Sequence, residues 1–330
     1  MRRSRIVGMG HFVPERVVTN DELGQQMETS DEWIVQRSGI RERRWVEGNV
    51  GASDLAVPAA LQALAEAGRT VADVDLILFA TLSPDLNFPG SGCILGAKLG
   101  IPGVPAMDIR TQCTGFLYSL STADAMVRSG MANCVLVVGS EVHSSGLDIS
   151  TRGRDVTVLF GDGAGVAVVA ASDDTSGLID HELHADGRYA EILMVEAPAS
   201  RLTPRLTKEM MDEGRHFPKM DGKAVFKHAV EKLPALVHSL LGRNGLTLAD
   251  IALLVPHQAN MRINELVARH LGLGPEKVMH NIQKYGNTTA GSIPIALHEA
   301  ALEGRIQKGD LVLLAGLGAG LTWGGTLLRW

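Results

Sequence analysis

The sequence predicts an α/β fold made of two similar halves, and three observations predict it. Helical and strand-like apolar patterns alternate along the chain. Strand-like segments recur in one register: "ADVDLILF" at 72–79 aligns with "ADIALLVP" at 249–256, an offset of 177 residues, and "ANCVLVVG" at 132–139 aligns with "GDLVLLAG" at 309–316. The same offset carries Gly68 onto Gly245, so the repeat is one of whole folding units, expected at 1–172 and 173–330.

Taken in order, "SDLAVPAALQALAEAG" at 53–68 has the apolar spacing of a helix, and "DVDLILFAT" at 73–81 reads as a buried strand. "DIRTQCTGFLYSLSTADAMVRSG" at 108–130 places Cys113 just before small and apolar residues that recur at helical spacing. "ANCVLVVGSE" and "GAGVAVVAA" are further strands. The stretch 199–222 follows neither period and interrupts the repeat, which predicts a cap or loop over the surface. In the second half, the strand "DIALLVP" runs into the helix "HQANMRINELVARHLG", and "KYGNTTAGS" runs into "SIPIALHEAALEG". The repeat matches Cys113 with Ala290, so two helices are expected to begin near the pseudo-twofold axis.

Composition narrows the function. The 330 residues are 45% hydrophobic and 21% charged, ordinary for a packed protein. A net charge of -6 and 4% aromatic content leave little to attract or stack nucleic acid. Three cysteines without metal-ligand spacing argue against a disulfide framework or a zinc site and for an intracellular, cytoplasmic chain. The N-terminal apolar run is too short for a signal peptide, and no window has the length of a membrane span.

A cysteine at a helix start faces free N–H groups and the positive end of the helix dipole, which favour a thiolate nucleophile; the plain alternative is a small buried filler. Cys93 and Cys134 are read as structural. His257 follows a central strand, at the carboxyl edge where α/β sheets keep their sites, and Asn287 lies in the turn "YGNTTAGS". Each has a bland reading, as a cap or a turn former. All three fall at strand ends or helix starts of one duplicated fold, and the joint reading is a catalytic set. "FGDGAG" at 160–165 has no following helix, so it reads as a tight structural turn rather than a phosphate cradle.

"DIRTQCTGF", "VPHQANMRI", "GNTTAGS", "LFGDGAG" and "GLGAGLTWG", together with "TSDEWIVQRSGIRERR" near the start, resemble the motifs of the β-ketoacyl-acyl-carrier-protein synthase III family. The resemblance runs nearly end to end and implies a thiolase-like duplicated αβαβα layered fold. It implies an acyltransferase that carries out a decarboxylative Claisen condensation of an acyl-CoA with malonyl-acyl carrier protein, initiating fatty-acid synthesis without metal or cofactor. A related condensing enzyme or acyltransferase of polyketide or specialised metabolism is the alternative, since it would use the same Cys-His-Asn set. Residue by residue, the resemblance implies Cys113, His257 and Asn287 as the catalytic set and the N–H groups of Cys113 and Gly320 as an oxyanion hole. It also implies Trp33 and Arg152 around the CoA adenine, with Arg37 and Asn260 further along the CoA. Phe88 would enter the acyl pocket of a homodimer partner. Lys227, Arg262 and Arg269 would dock the acidic carrier protein, although solvated helix charge explains them equally well. The chain departs from the family's usual pattern at Gln112, in the order "NTTAG", and at Gly90 and Gly92. These departures bear on the starter chain rather than on the reaction.

Overall fold

The structure, a computed structural model, describes residues 2–172 and 176–330. The first half begins with β1 (Arg3–Phe12) and a small flanking unit of β2 (Val17–Thr19), α1 (Asn20–Gly24), α2 (Asp31–Ser38) and β3 (Glu42–Arg44). It continues through α3 (Ala52–Glu66), β4 (Leu76–Ala80), α4 (Ser91–Lys98), β5 (Ala106–Ile109), α5 (Gly115–Ser129), β6 (Cys134–Glu141), α6 (Arg154–Thr157) and β7 (Gly163–Ser172). The second half has β8 (Gly177–Ala185), β9 (Leu193–Val195), α7 (Lys208–Asp212), β10 (Pro218–Met220), α8 (Gly222–Arg243), β11 (Leu253–Pro256), α9 (Met261–Leu271), α10 (Ile282–Tyr285), α11 (Ser292–Leu302), β12 (Leu311–Gly318) and β13 (Thr322–Arg329).

Two sheets carry the halves, one in the order β1-β7-β6-β4-β5 and the other β11-β12-β13-β8. β4 runs parallel to both β5 and β6, and β11 parallel to β12; the remaining pairs in these sheets are antiparallel. Strand alternation explains the layering. On β6, Val135 and Val137 turn inward with Phe116, Leu117 and Leu120 of α5, whereas Leu136 and Val138 turn outward onto the alanine face of α3. On the second sheet, Val312 and Leu314 face α5 and α11, while Leu313 and Ala315 face α8 and α9. Helices α5 and α11 therefore lie sandwiched between the sheets, with α3 and α4 outside one and α8 and α9 outside the other, giving the five layers.

The 177-residue offset reappears in the backbone. β6 and β12 correspond end for end, as do the single-turn helices Gln112–Thr114 and Thr289–Gly291. The turn at Thr70 is fixed by an N–H donated to Asp73 at 2.7 Å, and its counterpart at Thr247 by the same bond to Asp250, also 2.7 Å. The interrupting stretch 199–222 is largely loop, as its lack of period predicts, with α7, β10 and the first residue of α8 as its regular elements among the described residues.

The halves meet closely at Gly139, where a side-chain Cβ would sit 2.1 Å from the Ala290 carbonyl oxygen. Only a bare backbone lets α11 start this near β6. Gly139→Ala should therefore push the halves apart, cost about 1–3 kcal/mol and lower the thermal unfolding midpoint by several degrees; an unchanged midpoint would contradict this packing.

Candidate active site

The two single-turn helices present the chemistry. Cys113 sits in the turn leading into α5 and is 7% exposed. The turn is pinned from the other half: the Thr114 hydroxyl donates to the Thr111 carbonyl and pairs with the Thr322 hydroxyl, each at 2.8 Å. His257 follows β11, its N–H donating to Ala315 at 2.8 Å. Gly316 and Gly318, alternate residues of β12, make room for both groups. A Cβ on Gly316 would lie 3.4 Å from His257 Cβ, and one on Gly318 would lie 2.5 Å from Cys113 Cβ and 2.8 Å from its sulfur. Cys113 and His257 thus pack side by side against one strand face. Asn287 is clamped by its backbone between Leu159 and Gly161, at 2.7 and 3.1 Å.

Hydrogen bonds leave one donor free on each of His257 and Asn287. The Asn287 Oδ1 accepts the Thr289 N–H at 2.8 Å, which commits the oxygen and frees the Nδ2 amide. His257 Nδ1 meets the Ser292 hydroxyl at 2.5 Å, and its Nε2 is buried without a partner. Burial lowers the His257 pKa to about 3, so the ring stays neutral near pH 7.

The thiol departs from the expectation of an activated thiolate. Burial first, and the Glu141 carboxylate second, push the Cys113 pKa up to about 12, while the amides of Ala319 and Cys113 itself pull the other way. Desolvation outweighs the helix-start field that the sequence suggested. The same two amides correct the oxyanion-hole assignment: the second N–H near the sulfur is that of Ala319, one residue before Gly320, which lines the cavity next to it.

A cavity of about 650 Å³ opens at Cys113, with Leu147, Phe160, Leu193 and Met194 among its apolar walls. The interrupting stretch contributes His216 and Pro218 to it, so this stretch covers the site. A second cavity of about 740 Å³ is lined by Trp33, Arg37, Arg154, Lys223, Asn260 and Arg262. Arg152, expected at the adenine, is held away from this lining. Arg152 bonds Asp148 at 2.6 Å and the Asp212 carbonyl at 3.0 Å and does not line this cavity, whereas Arg37 and Arg154 stand over the Trp33 ring at 4.1 and 4.9 Å. Asn260 joins the cavity by capping α9 and donating to the Arg37 carbonyl at 2.9 Å. Phe88 is 86% exposed and does not line its own chain's cavity, although its neighbour Asn87 does. Lys227 and Arg262 are exposed on the packed helices α8 and α9, with Arg269 exposed two turns beyond Arg262.

Residues 107–187 match the family described as 3-oxoacyl-[acyl-carrier-protein] synthase III, and residues 241–330 match its C-terminal domain. The β-ketoacyl-[acyl-carrier-protein] synthase III of Laribacter hongkongensis is 44% identical over 330 residues, with both chains covered in full. That of Bordetella petrii is 46% identical over 329 residues, covering 98% of this chain and 97% of its own. The crystal structure of 3-oxoacyl-[acyl-carrier-protein] synthase III from Aquifex aeolicus superposes with a TM-score of 0.91 at 41% identity, covering 99% of this chain and all of that one. The chain belongs to this family. It is a condensing enzyme of the acyltransferase class, with the thiolase-like fold, that initiates fatty-acid synthesis.

Several buried groups of the enzyme carry no mark in the sequence. Asp162 of "FGDGAG" accepts N–H bonds from Val46, His143 and Ser144 at 2.7 to 3.0 Å, which makes that motif a structural turn. His143 reaches the Thr289 hydroxyl at 2.8 Å, and burial lowers its pKa to about 3. Because the resting thiol is protonated, its alkylation by iodoacetamide should rise about tenfold per pH unit from pH 6 to 9 without levelling. A plateau with a midpoint near pH 7, read by peptide mass mapping of Cys113, would show an ionised resting thiol instead.

Proposed function

We propose that Cys113 takes the acyl group from an acyl-CoA, and that His257 and Asn287 then stabilise the enolate formed when malonyl-acyl carrier protein loses carbon dioxide. In the first step the Cys113 sulfur attacks the thioester carbonyl, the oxyanion meets the N–H groups of Cys113 and Ala319, and CoA leaves as its thiol with the proton. In the second step the malonyl carboxylate departs as carbon dioxide, and the enolate oxygen accepts hydrogen bonds from the two free donors. With Ser292 donating to Nδ1, His257 offers Nε2–H; Asn287 offers its amide. The enolate carbon attacks the acyl carbonyl, the Cys113 sulfur leaves and takes a proton from solvent, and a 3-oxoacyl-carrier protein departs. No metal or cofactor enters these steps. The observation that carries the reading is the pair of committed acceptors, His257 Nδ1 on Ser292 and Asn287 Oδ1 on Thr289, which leaves each of these side chains one neutral donor.

The Trp33 cavity suits a CoA, with an aromatic face for the adenine and Arg37, Arg154 and Lys223 for its phosphates. Lys227, Arg262 and Arg269 suit an acidic carrier protein beside that mouth. The enzyme acts as a cytoplasmic homodimer: β5 ends its sheet as an open edge, with Met107 39% exposed and Leu86 and Phe88 54% and 86% exposed near it, an apolar edge that a second copy would cover. Among the described residues no helix is long and apolar enough to cross a membrane.

Two variants separate the steps. Asn287→Ala should still be acylated at Cys113, yet release carbon dioxide from labelled malonyl-carrier protein ~100 to 1000 times more slowly. Release at the parental rate would remove Asn287 from the mechanism, whereas acylation of the parent with no carbon dioxide release at all would favour a simple acyltransferase. Arg262→Glu should raise the KM for malonyl-carrier protein several-fold more than that for acyl-CoA, read by steady-state kinetics on each substrate; an equal rise in both would place Arg262 at the CoA instead.

A further inference from the structure

The cavity at Cys113 holds one unmatched cation. Among its lining residues Arg110 alone bears a full charge, and no aspartate or glutamate lines the cavity. The Arg110 side chain makes no ion pair or hydrogen bond with any described residue, and neither do the side-chain amides of Asn87 and Gln112, which line the same space. His216 adds a buried Nδ1 without a partner. Gln112 holds a φ of +47°, a left-handed conformation that glycine or asparagine adopts at less cost. A long amide is thus kept at a strained position next to the nucleophile, where a smaller residue would suffice if only the turn mattered.

Arg110 stands three positions before Cys113, at most about 10 Å of chain. The guanidinium therefore reaches the region that the far end of a short acyl chain on Cys113 would occupy. A cavity made only for saturated starters would have no use for an unpaired cation and free amides. Building on the condensing reaction above, we propose that the preferred starter is the CoA thioester of a short dicarboxylic acid. Its distal carboxylate pairs with the Arg110 guanidinium and accepts from the Gln112 and Asn87 amides. Loading transfers the ω-carboxyacyl group to the Cys113 sulfur and releases the CoA thiol with the sulfur's proton. The distal carboxylate is untouched, and condensation yields a 3-oxoacyl chain ending in an acid.

Glutaryl-CoA and pentanoyl-CoA test this, because both carry five-carbon acyl groups and differ at the end in a carboxylate against a methyl. Time courses of Cys113 acylation by intact mass, with the full chain and no malonyl-carrier protein, should show glutaryl loading at least roughly tenfold faster. Arg110→Gln should reduce that ratio tenfold or more, and Arg110→Lys should restore part of it; Arg110 is exposed, so neither change should disturb folding. Equal or faster pentanoyl loading by the parent overturns the proposal, as does an Arg110→Gln variant that slows both thioesters alike. A variant with an unchanged loading ratio but slowed carbon dioxide release also overturns it, assigning Arg110 to the malonyl carboxylate. Loading by acetyl-CoA but by neither five-carbon thioester defeats this proposal alone. A Cys113 that none of the three acylates defeats the condensing reading beneath it.

Discussion

The centre of the molecule depends on one buried carboxylate. Glu141 ends β6 with no exposed surface. It accepts the Thr81 hydroxyl at 3.0 Å, the Leu82 and Ser83 N–H groups at 3.1 and 3.0 Å, the Ser83 hydroxyl at 2.5 Å and, more weakly, the Ala290 N–H at 3.4 Å. One side chain thereby ties a wall of the cavity, through Leu82 and Ser83, to the start of the second-half turn that follows Asn287. Burial raises its pKa to about 7 in spite of these donors. The donors hold the acid in place, and its charge in turn opposes ionisation of the neighbouring thiol. Position and electrostatics at Cys113 are set by the same group.

The remaining polar groups follow a matching logic. His143 and His257 are pressed toward neutrality by burial, and each has a ring nitrogen tied to a hydroxyl of the second half. Neutral donors suit an enolate that appears only during the reaction, since they need no counter-ion while waiting. Arg43 makes the related point for the frame: fully buried, it donates to the Val18 and Val158 carbonyls at 3.1 and 2.8 Å, and so ties the β2–β3 unit to the chain that follows Arg154. The floor of the Trp33 cavity rests on that attachment.

Much of this was legible in the chain. The duplication could be read because both halves kept their strand register, so the 177-residue offset survives in β6 and β12 and in the single-turn helices around Cys113 and Ala290. The proposed Cys-His-Asn set could be picked out because strand ends and helix starts leave local marks in sequence. Choices within a loop or turn were not. Arg152 and Arg154 stand two apart in "TRGRD", and which guanidinium meets Trp33 depends on how Asp148 and the Asp212 carbonyl hold the first of them. The step from Gly320 to Ala319 depends on which way a peptide N–H points, a matter of backbone dihedrals. Glu141 and His143 read as an ordinary strand end, and their partners lie about 60 and 150 residues away in sequence. The thiol pKa was misjudged for a related reason: the helix start is local, whereas desolvation comes from the whole fold.

The burial that keeps Cys113 protonated also bears on its survival. Peroxide oxidises thiolates far faster than thiols, and it must first reach the sulfur. A buried, protonated thiol is slow to be lost to sulfenic acid, whereas Cys93, exposed on α4, offers an oxidant an open target. The packing that keeps the Cys113 thiol protonated thereby also slows its oxidation.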